Sequence, residues 1–469
     1  MPSIPFIKGD TVDNNVDYRD NLPVNYYAVL RNIYGEDGYL LNYYGLTEFA
    51  NGFGIDRGAI WVARSSFEGQ YRVSGNSLIF VNNDQTVTTI GSIPGTGQVS
   101  LTYSLNNLAI VADNKLYYYN PSDGLRQITD SDIGNPIDIV WADFRFVLTD
   151  GEFLYQSDLA NEEQYEPLDF SGSDFQPDGI KGVGLNEDNE LIAFNELTTE
   201  YFVNSGADNF SYTRIPLKAV KAGIVGTHAK REYKDQWFCL ARRVNTQPKF
   251  VIMQSGTAQS ITSREVEKRL NEFTDSQLES TTIDVFVKDS VLWMVAHLPT
   301  LTLAFNGSVA EKYGVEMAWS ILKTDIYGNA DYRAKNSVFD PRLKQWVVGD
   351  KRNSNLGFLD DSTCLHYGDI VEGLFYTPVL PLETLSINKL ELETIPGIAP
   401  QNDATVFVSR SEDLRIFGQE WTQEYGLNLD YNQNFIIRRM GYVRRNTAFK
   451  FRTASSSRMA FCLLDLEYS

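Results

Sequence analysis

Apolar and polar positions alternate along most of the chain, and one local pattern returns. An apolar stretch runs into a polar pair and continues as an aromatic-rich stretch. YRVSGNSLIFV turns at Gly75-Asn76, LAIVADNKLYYY at Asp113-Asn114, FRFVLTDGEFLYQ at Asp150-Gly151 and GLNEDNELIAF at Asp188-Asn189. The turns start 38, 37 and 38 residues apart. Asn, Asp and Gly tolerate φ > 0, so such pairs between alternating runs predict β-hairpins. Looser copies follow near Asp235, Asp289 and Pro341, at wider spacing. A hairpin every ~40 residues is the signature of β-propeller blades, whose faces are buried only by their neighbours. A sandwich also spaces its strands closely, but evenly repeated turns favour the propeller.

Other textures interrupt the repeat. In TSREVEKRLNEFTDSQLES, Thr262 and Glu265 fit a capping box, and Val266, Leu270 and Phe273 recur at helical spacing. This predicts one short helical insertion between blades. After about residue 370, LFYTPVLPLE, INKLELETI, ATVFVSRSEDL and AFKFRTASS read as alternating strands, with a Pro/Gly/Asn turn in ETIPGIAPQNDA. The expected organisation is mainly β: an extended, Tyr-rich segment over 1–60 laid across the body, a β-propeller-like domain over 61–370, and a C-terminal β-sandwich-like domain over 371–469.

Composition narrows the function classes. Hydrophobic residues are 43% of the 469 and charged residues 22%, as in soluble globular proteins. The net charge of −20 disfavours tight binding to nucleic acid or to an anionic membrane, because that affinity comes from Lys and Arg on phosphates. Three cysteines suggest synthesis in a reducing compartment rather than a disulfide framework. Neither a secretory signal nor an apolar run of the ~18 residues a membrane span needs is visible, so no membrane anchor is expected.

Candidate chemistry is sparse. His228, His297 and His366 are far apart in sequence, and no HExxH, paired CxxC, phosphate loop or G-x-S-x-G elbow occurs. His297, in LWMVAHLP, reads as a packed histidine. No catalytic residue, metal or cofactor is therefore expected. SEDLRIFGQEW, residues 411–421, loosely resembles the Asp-box turn of sialidase propellers, but Arg415 stands where that turn needs Gly. Two charge blocks stand out. Residues 152–178 hold Glu152, Asp158, Glu162, Glu163, Glu166, Asp169, Asp174 and Asp178 with no Lys or Arg. Residues 432–459 hold Arg438, Arg439, Arg444, Arg445, Lys450, Arg452 and Arg458 with no acid. Either is a solvated face or a working surface. The working readings are an acidic wall facing a DNA channel (Glu152, Asp158, Glu162, Glu163 and Glu166) and a basic contact to an acidic partner, such as another copy of the chain (Arg438, Arg439, Arg444 and Arg445).

A series of short motifs then carries a resemblance. DYRDNLPVNYYA at 17–28, GYLLNYYGLTEF at 38–49, YRVSGNSL at 71–78 and GTGQVSL at 95–101 come first. QPDGIKGVG at 176–184, the most specific, is followed by LTTEYFVNSGA at 197–207 and KAGIVGTHAK at 221–230. WSILKTDIYGNADYRA at 319–334, GDK at 349–351, LFYTP at 374–378 and RRMGYVRRNTAFKFR at 438–452 close the series. In this order the chain resembles the tail nozzle family of short-tailed phages, also called tail accessory factors or packaged-DNA stabilisation proteins. The helical insertion and the acidic stretch match no fixed motif of that family. The resemblance implies a non-enzymatic virion protein, assembled in host cytoplasm as a homohexameric ring below the portal and its adaptor ring. It implies partners in a tail needle or plug and in tailspikes or fibres. Double-stranded DNA would be retained and would pass through transiently, without specific binding. The abundance of aromatic residues keeps one alternative open, a carbohydrate-binding or depolymerising propeller that recognises a host receptor.

Overall fold

The computed structural model describes residues 3–6, 22–30, 38–159, 161–326, 331–382, 384–395, 404–412, 416–426, 429 and 435–469. Seven antiparallel sheets follow one another as propeller blades among these residues. The first blade is Asp56–Val62, Gly69–Ser74, Ser77–Val81 and Val87–Ser92, and the second is Ser100–Tyr103, Leu108–Ala112, Lys115–Asn120 and Gly124–Ile128. The third is Asp138–Ala142, Arg145–Thr149, Phe153–Ser157 and Tyr165–Gly172. The fourth, fifth and sixth begin at Ile180, Gly223 and Thr282. Each blade buries both faces, so its middle strands read as continuous apolar runs; Leu108–Ala112 and Leu191–Asn195 are buried at every position.

The turn chemistry holds at most of the expected sites. Gly75 has φ +55, and Asp113 and Asn114 have φ +45 and +60, closing two-residue turns between second and third strands. At Asp150-Gly151 the turn is wider, since Thr149 pairs with Leu154. Only Gly151 is left-handed there, at φ +100, and the Asp150 carboxylate accepts the N–H groups of Glu152 and Phe153 at 2.9 Å. Asp188-Asn189 joins a different pair, the first and second strands of the fourth blade. Asp289-Ser290 does the same in the sixth, and Lys234-Asp235 joins Lys230–Tyr233 to Gln236–Arg242 in the fifth. The even spacing thus mixes two hairpins of the blade, because both join right-twisted strands and ask for the same left-handed residues.

The described residues of 1–60 do not lie over the body as one segment. Gly45–Asn51 is the outer strand of the seventh blade, pairing with Asn355–Asp360, so the ring of blades is closed by the two ends of the propeller sequence. Asp56–Val62 already belongs to the first blade. Earlier still, Tyr26–Val29 and Tyr39–Asn42 pair with each other, and the latter with the C-terminal strand Ala460–Tyr468. The C-terminal sandwich therefore borrows strands from the N-terminus. Its other sheet contains Gly373–Tyr376, Thr405–Ser411, Trp421–Glu424 and Asn446–Thr453. The turn expected in ETIPGIAPQNDA falls largely outside the described residues, as does Arg415. The insertion at 262–279 is helical, in two pieces, Arg264–Leu270 and Asp275–Leu278. Ser263, not Thr262, caps the first, accepting from the Val266 N–H, while Thr274 and Gln277 make the capping box of the second. A further helix, Gly307–Tyr313, is capped by Asn306.

One apolar core runs from the propeller into the sandwich. Phe238, Leu240, Phe250 and Phe305 of the fifth and sixth blades share it with Phe375, Leu390, Phe451 and Phe461. Across the same junction, the backbone of Val24 exchanges hydrogen bonds with Leu374 at 2.8 and 2.9 Å. Asn25 N–H donates to the Ile321 carbonyl at 2.8 Å. The buried Asn25 side chain, at φ +54, donates to the carbonyls of Lys323 (2.8 Å) and Glu372 (2.7 Å) and accepts from Lys323 N–H (2.9 Å). It therefore holds a propeller strand end and a sandwich strand entry in one set of bonds. Asn25→Ala should cost about 2–4 kcal/mol, from buried groups left unpaired and from an alanine held left-handed. Urea denaturation measures this, and a loss below ~0.5 kcal/mol, the range of an ordinary surface change, would refute it.

Candidate functional site

The propeller has its own central cavity, lined by the first strands of its blades, with a volume of about 410 Å³. A cavity of this volume is too small to admit a nucleic-acid duplex. Part of its charge is paired in place. Lys230 Nζ lies 2.8 Å from Asp138 Oδ2, which also accepts the Val183 N–H at 2.9 Å. Close by, Arg72 donates to Asp56 at 2.8 Å, and the Asn336 amide donates to Asp56 at 2.6 Å. Arg72 also donates to the Asn336 carbonyl at 2.9 Å, so Asn336 ties the first and seventh blades together where the ring closes.

Two of the three histidines serve packing. His297 is buried beside Asp284, Nε2 to Oδ2 at 3.3 Å, and burial pushes its imidazole down to about 4. His366 is buried against Tyr332, and burial lowers it to about 3. His228 lies on the cavity wall. Among the described residues no group of His, Cys, Asp and Glu is arranged to hold a metal. In the unfolded chain both buried histidines titrate near ~6.5. The unfolded state therefore binds more protons between ~6.5 and ~4, and stability is full above ~6.5 and falls as the pH drops through that window. A lower urea midpoint at pH 5.5 than at pH 7.5 is expected, with a weaker dependence in His366→Gln. Equal midpoints would contradict it.

The acidic block divides into parts. Glu162 is pinned to the second blade, accepting from Ser104 Oγ at 2.9 Å and Asn107 Nδ2 at 2.6 Å. Glu163 takes Arg126 Nε at 2.7 Å. These two carboxylates join the third blade to the second. Glu152 stands exposed at a hairpin tip, Asp158 is half-buried at the opposite end of the blade, and Glu166 is exposed on its outer strand. Asp178 is also structural, accepting from Leu197 N–H and Thr198 Oγ1. Glu162→Leu leaves the Asn107 amide without its acceptor and should lower stability by about 1–3 kcal/mol. Glu166→Gln, which breaks no contact between blades, should change it by less than ~0.5 kcal/mol. Equal losses in the two melting curves would refute the division.

The basic block divides likewise. Arg458 is buried and donates to the carbonyls of Asn42 (3.1 Å) and Asp361 (2.8 Å) and to Tyr27 Oη (3.1 Å), holding the sandwich to the propeller. Arg452 binds Glu420 through two hydrogen bonds, at 3.0 and 2.6 Å. Arg438, Arg439, Arg444 and Arg445 are exposed at the edge strand Phe435–Val443 and just beyond it, and form no ion pair among the described residues. The sequence pattern alone did not separate the structural arginines from these four. Burial does.

The aromatic abundance is largely accounted for by packing. Tyr27, Tyr43, Tyr44 and Trp293 are buried together with ring centroids 5.0–6.2 Å apart. Phe375 stacks on Phe451 at 4.9 Å inside the sandwich. Asn25, at the junction, was missed by sequence reasoning. Its only signal was its place in LPVNYYA.

Comparison with known proteins agrees with the two-part architecture. The family model described as bacteriophage P22 Gp10, beta-propeller, matches residues 2–364, and that described as bacteriophage P22 Gp10, beta-sandwich, matches residues 372–469. A curated relative, the tail hub protein gp10 of Salmonella phage P22, is 27% identical over 489 aligned residues, covering 100% of each chain. Solved structures resemble the chain distantly. The extracellular domain of a putative hybrid two component system from B. thetaiotaomicron has TM-score 0.46 at 10% identity, over 78% of this chain and 42% of that one. The Pan2 WD40 domain of Neurospora crassa has TM-score 0.42 at 6% identity, over 68% and 96%. These two are too distant to bear on function.

Proposed function

The chain belongs to the bacteriophage P22 Gp10 family in both its propeller and its sandwich, and from that premise we propose that it is a ring subunit of the short phage tail, retaining packaged DNA and conducting it at ejection. It is a structural protein of the virion tail. The observation that carries the finer reading is the end-to-end alignment with a tail hub protein, 100% of both chains.

The geometry adds one constraint. A cavity of about 410 Å³ within each protomer is too small for a duplex, so any DNA passage has to run between copies. A homohexamer below the portal and adaptor ring meets that requirement, with the needle or plug and the tailspikes or fibres as further partners. A net charge of −20 per copy suits a conduit. Like charge repels phosphates over about one Debye length, ~8 Å in physiological salt, whereas a basic lining would act as a brake. Glu152, exposed at its hairpin tip, is the residue we place at the rim of that passage; Glu162 and Glu163 are committed to holding blades together.

Native mass spectrometry of the chain, alone and mixed with portal and adaptor rings, tests the reading. A ring-sized species of about six copies is expected in the mixture. Particles assembled without the chain should lose their DNA, read as nuclease-sensitive genome. A monomer in every mixture, or fully protected genomes without the chain, would overturn it.

A further inference from the structure

Two edge strands of the protomer carry opposite charge, and each sets large apolar side chains among its charges. Among the described residues Tyr165–Gly172 is the outer edge of the third blade and pairs only with Phe153–Ser157. Its outward side chains are Glu166, Leu168 and Phe170, with Leu168 66% and Phe170 41% exposed, and exposed Asp174 follows. Among the described residues Phe435–Val443 is the edge of the six-stranded sheet and pairs only with Leu385–Thr394. It exposes Arg438, Arg439 and Tyr442, the last at 49%, with Arg444 and Arg445 next. The register slips between Ile387 and Lys389, opposite Arg439 at φ +60 and Gly441 at φ +90. Two successive arginines are therefore exposed where strict alternation would bury one.

Neither edge is suited to extending a sheet. Pro167 lacks an N–H on one, and the left-handed residues kink the other. Contact at these edges goes through side chains. A large apolar group encircled by charge of one sign can be desolvated at the centre of an interface while the surrounding charges select a complementary partner. The two edges do not serve each other within one chain. The sandwich shares its core with the fifth and sixth blades, and the acidic edge is on the third.

We propose that the acidic edge of the third blade docks on the arginine edge of the sandwich of a second copy of this chain. Leu168 and Phe170 would meet Tyr442, with Glu166 and Asp174 against Arg438, Arg439, Arg444 and Arg445. Such a contact is heterologous. Each copy uses one acidic and one basic edge, so the contact repeats head to tail and ends only when a ring closes. The inference rests on the ring reading above and names the surfaces that build the ring.

Charge exchange in the full-length chain tests it. The variants are Glu166→Arg with Asp174→Arg, Arg444→Glu with Arg445→Glu, and all four substitutions together, followed by sedimentation velocity with the portal and adaptor rings present. Either pair alone should raise the concentration for half-assembly at least about tenfold, as loss of close charge pairs does. The four together should restore assembly, which general damage to the fold would not. Leu168→Gln should weaken assembly with the melting temperature unchanged, and salt should weaken the wild-type ring. If the wild type assembles and neither reversal affects it, or the fourfold variant assembles no better than the pairs, this interface is wrong and the ring stands. If the wild type never assembles, the ring reading itself falls and the interface with it.

Discussion

The structure depends on one hydrogen-bonded crossing. The backbone of residues 23–25 lies between the last strand of the sixth blade and the first strand of the sandwich's second sheet, bonded to Ile321 on one side and Leu374 on the other. Two bodies that would otherwise meet through side chains are joined by main chain. Asn25 makes the crossing possible. It adopts the left-handed conformation more readily than most residues, and its amide satisfies groups that burial would leave unpaired. From there the chain enters the sandwich, leaves as Tyr39–Asn42, and becomes the closing strand of the seventh blade. One short stretch thus completes both domains.

That arrangement bears on mechanical duty. A propeller closed only by packing can open between its first and last blades. Here the closing strand is covalently continuous with strands in the sandwich, and Arg458 reaches from the sandwich to the Asp361 carbonyl just past the seventh blade's third strand. The buried pairs Arg72–Asp56 and Arg333–Asp350 add polar locks in the seventh blade and at its seam with the first. Removing one partner of such a pair would strand a charge in an apolar setting. Load crossing this junction meets main-chain bonds first.

Charge is sorted by the partners each residue meets rather than by sequence block. Of the acidic run, Glu162, Glu163 and Asp178 are spent within the protomer, and Glu152 and Glu166 face solvent. Of the basic run, Arg452 and Arg458 are spent and four arginines face solvent. Each block therefore contains an internal fastening and a residual surface, and only the residual surface is available to partners.

The sequence by itself determined the β class, the propeller, the sandwich and the tail family, because these rest on local rules. Left-handed turn residues between alternating runs specify hairpins wherever they occur, and ordered motifs survive even when each is short. It also located the helical insertion, missing its cap by one residue. Only the tertiary structure decided which hairpin of the blade each turn belonged to, since first–second and second–third turns obey the same chemistry. It alone decided that Tyr26–Val29, Tyr39–Asn42 and Gly45–Asn51 serve two domains, because strand pairing across more than 300 residues leaves no local periodicity. And it alone told Arg458 from Arg444 and Glu162 from Glu166, because whether a charge is a fastening or a surface depends on what is packed against it.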